Sequence, residues 1–159
     1  MNNLLFARLF KITIFVMALT GAAQMPIFKR YYVADIPGLG WLADFYLTNK
    51  IHYLFGALLL FMALYLVTEF VLIRKHDFQL TWSGLFRSGL YVVVIGTGVL
   101  RVVKNLPSIT FDPYTVMLID WTHLGFAVVL GIAAMFAFFR GRKPYLAELP
   151  EALRGKNRF

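Results

Sequence analysis

Cysteine is absent from the 159-residue chain. Its absence excludes disulfide bonds, thiolate-bound metals and cysteine-ligated iron–sulfur clusters, so any redox or metal chemistry must use other ligands. Charged residues are also scarce: they form 15% of the chain, whereas 60% of its residues are hydrophobic. A soluble domain has about a quarter charged and roughly half apolar residues. The composition therefore indicates a membrane protein.

Four apolar segments are long enough for membrane-spanning helices, which need about 17 to 25 residues. They cover residues 11–28, 51–73, 84–103 and 115–139. We therefore expect an all-α membrane protein in which one membrane domain, residues 1–159, contains a bundle of four transmembrane helices. Residues 140–159 are rich in Lys and Arg and are expected to form a basic cytoplasmic tail.

The N-terminal segment has two interpretations. Arg8 and Lys11 precede the apolar stretch ITIFVMAL and the small residues TGAA, which is also the pattern of a cleaved signal peptide. We expect this segment to be a retained transmembrane helix.

Lys and Arg are distributed unevenly around the four segments. Eleven of the sixteen lie near the two termini and the middle connection, and five lie near the other two connections. Because positive residues favour the cytoplasmic side, both termini and the middle loop of this multi-pass protein are expected there. This bias, with anionic membrane lipid as the partner, accounts for the net charge of +8 without nucleic acid.

An internal repeat divides the chain into two similar helical hairpins. The first predicted helix contains FVMALTG and the third contains YVVVIGTG, so each carries a Thr-Gly pair, at residues 20–21 and 97–98. The second contains KIHYLFG and the fourth WTHLGF, which place His52 and His123 near the outer ends of their helices. The pattern predicts a bundle of four helices built from one hairpin used twice.

His52 and His123 are expected at similar depth in the membrane. They lie 22 and 17 residues before the inner-boundary residues Arg74 and Arg140, or about 33 and 26 Å at a rise of 1.5 Å per residue. Two histidines at one level of a helix bundle can hold a planar macrocycle from both faces, as in bis-histidine haem b. The alternative is that they only form hydrogen bonds between helices. We favour ligation because ionisable residues within membrane helices generally mark function.

Glycines and cations accompany the histidines. Gly56 lies one turn after the first histidine, on the same face, where a missing side chain would let a macrocycle approach the helix. Gly21 and Gly98 are expected to do the same on the neighbouring helices. Arg101 and Lys104 follow near the outer boundary and are candidates for binding haem propionates. Helix packing and headgroup anchoring are the alternative roles of these residues.

With these residues, the chain resembles the membrane cytochrome b subunits of respiratory formate dehydrogenases and nickel–iron hydrogenases. The resemblance covers all four segments and implies that His52 and His123 ligate the outer haem. Relatives with two haems have a histidine in the first helix and another about four turns after the outer ligand in the fourth. Here the first segment has no histidine, and Ala137 stands fourteen residues after His123. We therefore expect one haem b, with His76 as a solvated loop residue.

The resemblance implies a membrane electron-transfer subunit of the bacterial inner membrane that links an outer, periplasmic redox subunit to the quinone pool. The outer subunit would carry iron–sulfur clusters or c-type haems. Iron held by two histidines has no open coordination position, so it transfers electrons without activating substrate. The alternative from another class is a haem-free membrane anchor or assembly subunit whose histidines only bridge helices.

Two acids lie within the apolar segments. Quinone chemistry needs proton-accepting groups, and Asp120, with Trp121 beside it, is the candidate quinone or proton site. Glu69 lies close to the inner boundary and is expected to pair with Arg74 or Arg87.

Overall fold

A computed structural model describes residues 4–25, 35–140 and 144–150 of the chain. Four helices within these ranges are long and apolar enough to cross a membrane: α1 (Leu4–Ala23), α2 (Phe45–Leu72), α3 (Trp82–Val103) and α4 (Pro113–Phe139). The predicted all-α class with four candidate spans is confirmed, and the chain is a multi-pass membrane protein. Of the predicted elements, residues 26–28, 141–143 and 151–159 lie outside the described ranges.

The helices α2, α3 and α4 begin two to six residues before the predicted starts, because each has a capping residue ahead of its apolar run. Side-chain oxygens of Asp44, Thr81 and Asp112 accept hydrogen bonds of 2.9–3.0 Å from amides in the first turn. Pro113 then opens α4, where it leaves no amide unpaired. Hydrogen bonds from the side chain and amide of Thr115 lower the pKa of Asp112 below its usual value.

The helix α1 begins seven residues before its predicted start and ends at Ala23, five residues before its predicted end. Arg8 and Lys11 lie on its exposed surface rather than at its boundary. Long cationic side chains can lie along an apolar surface while their charges reach the headgroup region, so they do not end a membrane helix. The positions of Arg8 and Lys11 therefore do not mark the start of α1.

The chain forms two compact units, residues 1–67 and 68–159, whose boundary lies within α2. In the first unit, α1 and α2 run antiparallel and meet through side chains. The contacts join Phe6 to Tyr65 (5.3 Å between ring centroids), Thr13 to Met62 (3.9 Å) and Thr20 to His52 (2.9 Å). A one-turn 3₁₀ helix, Gly40–Ala43, precedes α2.

In the second unit, α3 and α4 form an antiparallel hairpin to which part of the tail is attached. Strand β1 (Phe78–Leu80) pairs antiparallel with β2 (Leu146–Glu148). Beside this small sheet, the amide of Thr81 donates to the carbonyl of Tyr145 over 3.0 Å, and the Thr81 hydroxyl donates to the carbonyl of Pro144 over 2.9 Å. The sequence pattern did not predict these strands.

The middle connection confirms one predicted ion pair. Nε and Nη2 of Arg74 donate to Oε1 of Glu69 over 3.0 and 2.8 Å. Arg87 instead places its guanidinium over the ring of Tyr145, 3.8 Å from the ring centroid. His76 lies in a short 3₁₀ helix, Arg74–His76, and is half-buried rather than fully solvated. Its Nδ1 atom has no hydrogen-bond partner in the described part of the chain.

Candidate histidine sites

The first histidine lies against the Thr-Gly pair of α1. Oγ1 of Thr20 is 2.9 Å from Nδ1 of His52, and Thr20 is fully buried. Gly21 faces the same ring: a Cβ atom added there would lie 3.2 Å from Cε1 of His52. A side chain at Gly21 would therefore crowd the imidazole, and glycine makes room for it.

The second histidine lies against the Thr-Gly pair of α3 in the same way. Oγ1 of Thr97 is 3.1 Å from Nδ1 of His123, and a Cβ atom added at Gly98 would lie 3.3 Å from Cε1 of that ring. His123 is 9% exposed. Its Nδ1 atom has a second contact, 3.1 Å from the carbonyl oxygen of Val94.

The two hairpins thus share one local arrangement, in which equivalent atoms make the contacts. In each, a threonine oxygen meets Nδ1, and the glycine that follows the threonine meets Cε1 on the same ring. The sequence repeat is therefore a repeat of contacts within each hairpin. The Thr-Gly pairs were recognised from sequence, but the hydrogen bonds of Thr20 and Thr97 to the histidines were not anticipated.

The contacts of the three glycines are with side chains of their own hairpin. Gly21 and Gly98 accommodate the imidazoles, as described above. A Cβ atom at Gly56 would lie 3.7 Å from Cε of Met17, which is an ordinary van der Waals distance. The predicted role of these glycines is to let a macrocycle approach the helices closely. These contacts do not test that role, which remains a prediction.

The cations Arg101 and Lys104 converge on Asp120 in the second hairpin. Nζ of Lys104 donates to both carboxylate oxygens over 2.8 and 2.7 Å. Nε of Arg101 lies 2.9 Å from Oδ1, an ion-pair distance, although its N–H does not make an aligned hydrogen bond. The carboxylate that the sequence singled out for proton transfer is therefore engaged by two cations. The neighbouring Trp121 is 72% exposed.

The residues around the second histidine fit haem in residue type. Imidazole is the ligand of b-type haem iron. Cationic side chains suit the two propionates of haem, and Asp120, which lies one turn before His123, brings Arg101 and Lys104 to this end of the hairpin. Comparison with known protein families, with curated proteins and with solved structures finds no match for the chain.

Proposed function

We propose that this chain is the haem b-containing membrane electron-transfer subunit of a respiratory redox complex. The type is that of the cytochrome b subunits of formate dehydrogenases and nickel–iron hydrogenases. His52 and His123 would hold a single haem through their imidazoles. When bound, such a haem exchanges single electrons at an iron that has no open coordination position.

The repeated arrangement of threonine, glycine and histidine carries this proposal. Each imidazole is oriented through Nδ1 by a partner on the preceding helix of its hairpin. Each also has glycine where any other residue would crowd the ring. Metal-ligating histidines are generally held in this manner through the nitrogen that does not bind the metal. Two copies of one oriented histidine would provide the two imidazoles that hold such a haem.

The cations of the second hairpin supply the polar part of the site. Two cations meet one carboxylate at Asp120, so the cluster has one positive charge in excess. We assign Arg101 and Lys104 to the propionates and Gly21, Gly56 and Gly98 to the faces that a macrocycle approaches. Asp120 and Trp121 form the candidate quinone or proton site.

The chain would act in the bacterial inner membrane with both termini in the cytoplasm, as its Lys and Arg bias favours. Electrons pass between an outer redox subunit, bearing iron–sulfur clusters or c-type haems, and the quinone pool. The surrounding lipid is the remaining partner.

A second candidate function is a haem-free membrane anchor or assembly subunit. The observation in its favour is that the contacts of Thr20 with His52 and of Thr97 with His123 are themselves hydrogen bonds between helices. Such bonds stabilise packed membrane helices by about 0.6 to 2 kcal/mol. An anchor would use the histidines for this purpose alone.

An optical spectrum separates the two functions. The purified chain, reduced with dithionite, should show the sharp bands of a low-spin haem b, and a pyridine haemochrome assay should give one haem per chain. A featureless spectrum from protein expressed with ample haem supply would support the anchor. A ratio of two would contradict the single ligand pair and would require further axial ligands.

A further inference from the structure

The hydroxyl groups of Thr20 and Thr97 donate hydrogen bonds within their own helices. Oγ1 of Thr20 lies 2.7 Å from the carbonyl oxygen of Val16, and Oγ1 of Thr97 lies 2.7 Å from that of Val93. This is the usual length of an O–H···O hydrogen bond. A carbonyl can only accept, and a hydroxyl has one hydrogen. That hydrogen therefore lies on the carbonyl side, and the lone pairs of each threonine oxygen face the histidine.

The direction of the histidine hydrogen bonds follows. With the threonine hydrogen used elsewhere, the contacts of 2.9 and 3.1 Å between Oγ1 and Nδ1 require Nδ1–H of His52 and of His123 as donor. His123 gives an independent indication, because its Nδ1 is also 3.1 Å from the carbonyl oxygen of Val94, which cannot donate. A neutral imidazole protonated at Nδ1 carries its lone pair on Nε2.

We infer that Thr20 and Thr97 are positioning residues that hold both histidines as the Nδ1–H tautomer, with Nε2 as the ligating nitrogen. The tautomer follows from the hydrogen bonds alone. The identity of the group that Nε2 ligates, a haem iron, rests on the proposed function. A hydrogen bond accepted from Nδ1–H also fixes the ring orientation and raises the basicity of the ligand.

A second acceptor is seen at His123. Its Nδ1–H is shared between Thr97 and the carbonyl of Val94, and Thr20 accepts from His52. Valine has nearly the shape of threonine without the hydroxyl. Thr20→Val therefore removes the hydroxyl acceptor at His52, but Thr97→Val leaves the backbone acceptor at His123.

Nitrogen-15 NMR of histidine-labelled protein tests the tautomer directly. The chain has three histidines, so single histidine variants assign the signals. Spectra are recorded at a pH above the titration range of imidazole, so that the rings are neutral. Dithionite is added because reduced low-spin haem iron is diamagnetic, and haem then does not prevent the measurement. We expect His52 and His123 to be protonated at Nδ1. Thr20→Val should move His52 toward the Nε2–H form, or lower its haem occupancy severalfold, while Thr97→Val should leave His123 mostly unchanged.

Two variants serve as controls. Thr20→Ser keeps the hydroxyl and should restore the Nδ1–H signal of His52. Thr13→Val removes the hydroxyl of another buried threonine, two turns earlier in α1, which contacts Met62 rather than a histidine. This change should leave all histidine signals in place. If His52 is protonated at Nε2 in the unmodified chain, or if Thr20→Val behaves like Thr13→Val, the inference is wrong.

The reduction potential gives a second readout. A hydrogen bond accepted from Nδ1–H makes the imidazole a stronger electron donor and so stabilises ferric iron. Thr20→Val should therefore raise the midpoint potential of the haem, and Thr20→Ser should return it. An Nδ1–H tautomer in a chain that binds no haem would support the positioning role and contradict the proposed function. If haem is bound but Thr20→Val changes neither the ligand tautomer nor the midpoint potential, the result would support the proposed function and contradict the positioning role.

Discussion

Gly98 lies directly against the imidazole of His123, since a Cβ atom at this position would stand 3.3 Å from Cε1 of the ring. Two residues earlier on α3, a Cβ atom at Gly96 would meet nothing within 4 Å in the described chain beyond the adjacent backbone of its own helix. The two glycines therefore differ in what surrounds them, although they share a helix. Gly21 stands in the same relation to His52 as Gly98 does to His123.

Gly98→Ala should displace the His123 ring and weaken haem retention. The distance is tighter than most Cβ contacts, so the ring must move by a few tenths of an ångström. A distortion that costs about 0.5 to 1.5 kcal/mol corresponds to roughly two- to twelvefold weaker binding. The measurement is the haem-to-protein ratio after purification in matched detergent. Gly96→Ala is the control, and equal haem content in the two variants would contradict the role of Gly98.

His52→Ala or His123→Ala should abolish haem retention, because either change removes one of the two axial ligands. The reduced optical spectrum should lose its b-type bands, whereas circular dichroism should still show a helical protein. His76→Ala is the matched control, since His76 lies in the short 3₁₀ helix of the middle connection. Loss of haem in the His76 variant alone would show that the ligands have been misassigned.

Hydropathy was sufficient to locate the four helices, because each apolar run must bury its backbone polar groups within a helix to enter a membrane. Their starts were placed two to seven residues late. Asp44, Thr81 and Asp112 are capping residues that stand in the sequence before the apolar runs, and they extend α2, α3 and α4. Capping chemistry, read alongside hydropathy, would have found these starts.

The candidate site was predictable in its residues but not in its contacts. The repeat brought out His52 and His123 because two polar residues at equivalent places in apolar helices are conspicuous. The hydrogen bonds to Thr20 and Thr97 depend on the rotation of each helix about its axis. The sequence pattern does not specify this rotation. The pairing of β1 with β2 joins segments almost seventy residues apart. No local signal in three-residue strands predicts such a pairing.

Asp120→Asn should destabilise the second hairpin more than Glu69→Gln destabilises its ion pair. Asp120 pairs with both Lys104 and Arg101, so its loss leaves two neighbouring cations without the carboxylate between them. Glu69 pairs with the single cation Arg74, whose side chain is 46% exposed. Partly exposed pairs contribute about 0 to 1 kcal/mol each, so the difference should be a small but reproducible fall in the thermal midpoint.

The comparison of Asp120→Asn with Glu69→Gln should be made at low salt and repeated at high salt. Screening reduces the interaction between solvent-exposed charges, so the destabilisation of the Asp120 variant should shrink as salt is added. A greater loss of stability from Glu69→Gln would contradict the view that Asp120 holds this cation cluster together. Unchanged electron exchange with quinone in an assembled complex that carries Asp120→Asn would remove Asp120 from the candidate proton site.

Gly84→Ala should detach the tail segment from the start of α3. A Cβ atom at Gly84 would overlap the carbonyl oxygen of Tyr145, which is backbone and cannot move as the end of a flexible side chain can. The same carbonyl accepts the amide hydrogen of Thr81. Alanine favours a helix over glycine by about 1 kcal/mol, so α3 should stay intact while the strand pairing of β1 with β2 gives way.

Hydrogen–deuterium exchange would measure the effect of Gly84→Ala. The peptides that cover residues 77–81 and 144–150 should exchange faster than in the unmodified protein, because the ladder amides and the amide of Thr81 lose their acceptors, while the α3 amides after residue 86 should keep their protection. Gly89→Ala is the control on the same helix, since a Cβ atom there would meet nothing within 4 Å in the described ranges. If both variants protect residues 144–150 equally well, the tail segment is not held by close packing against Gly84.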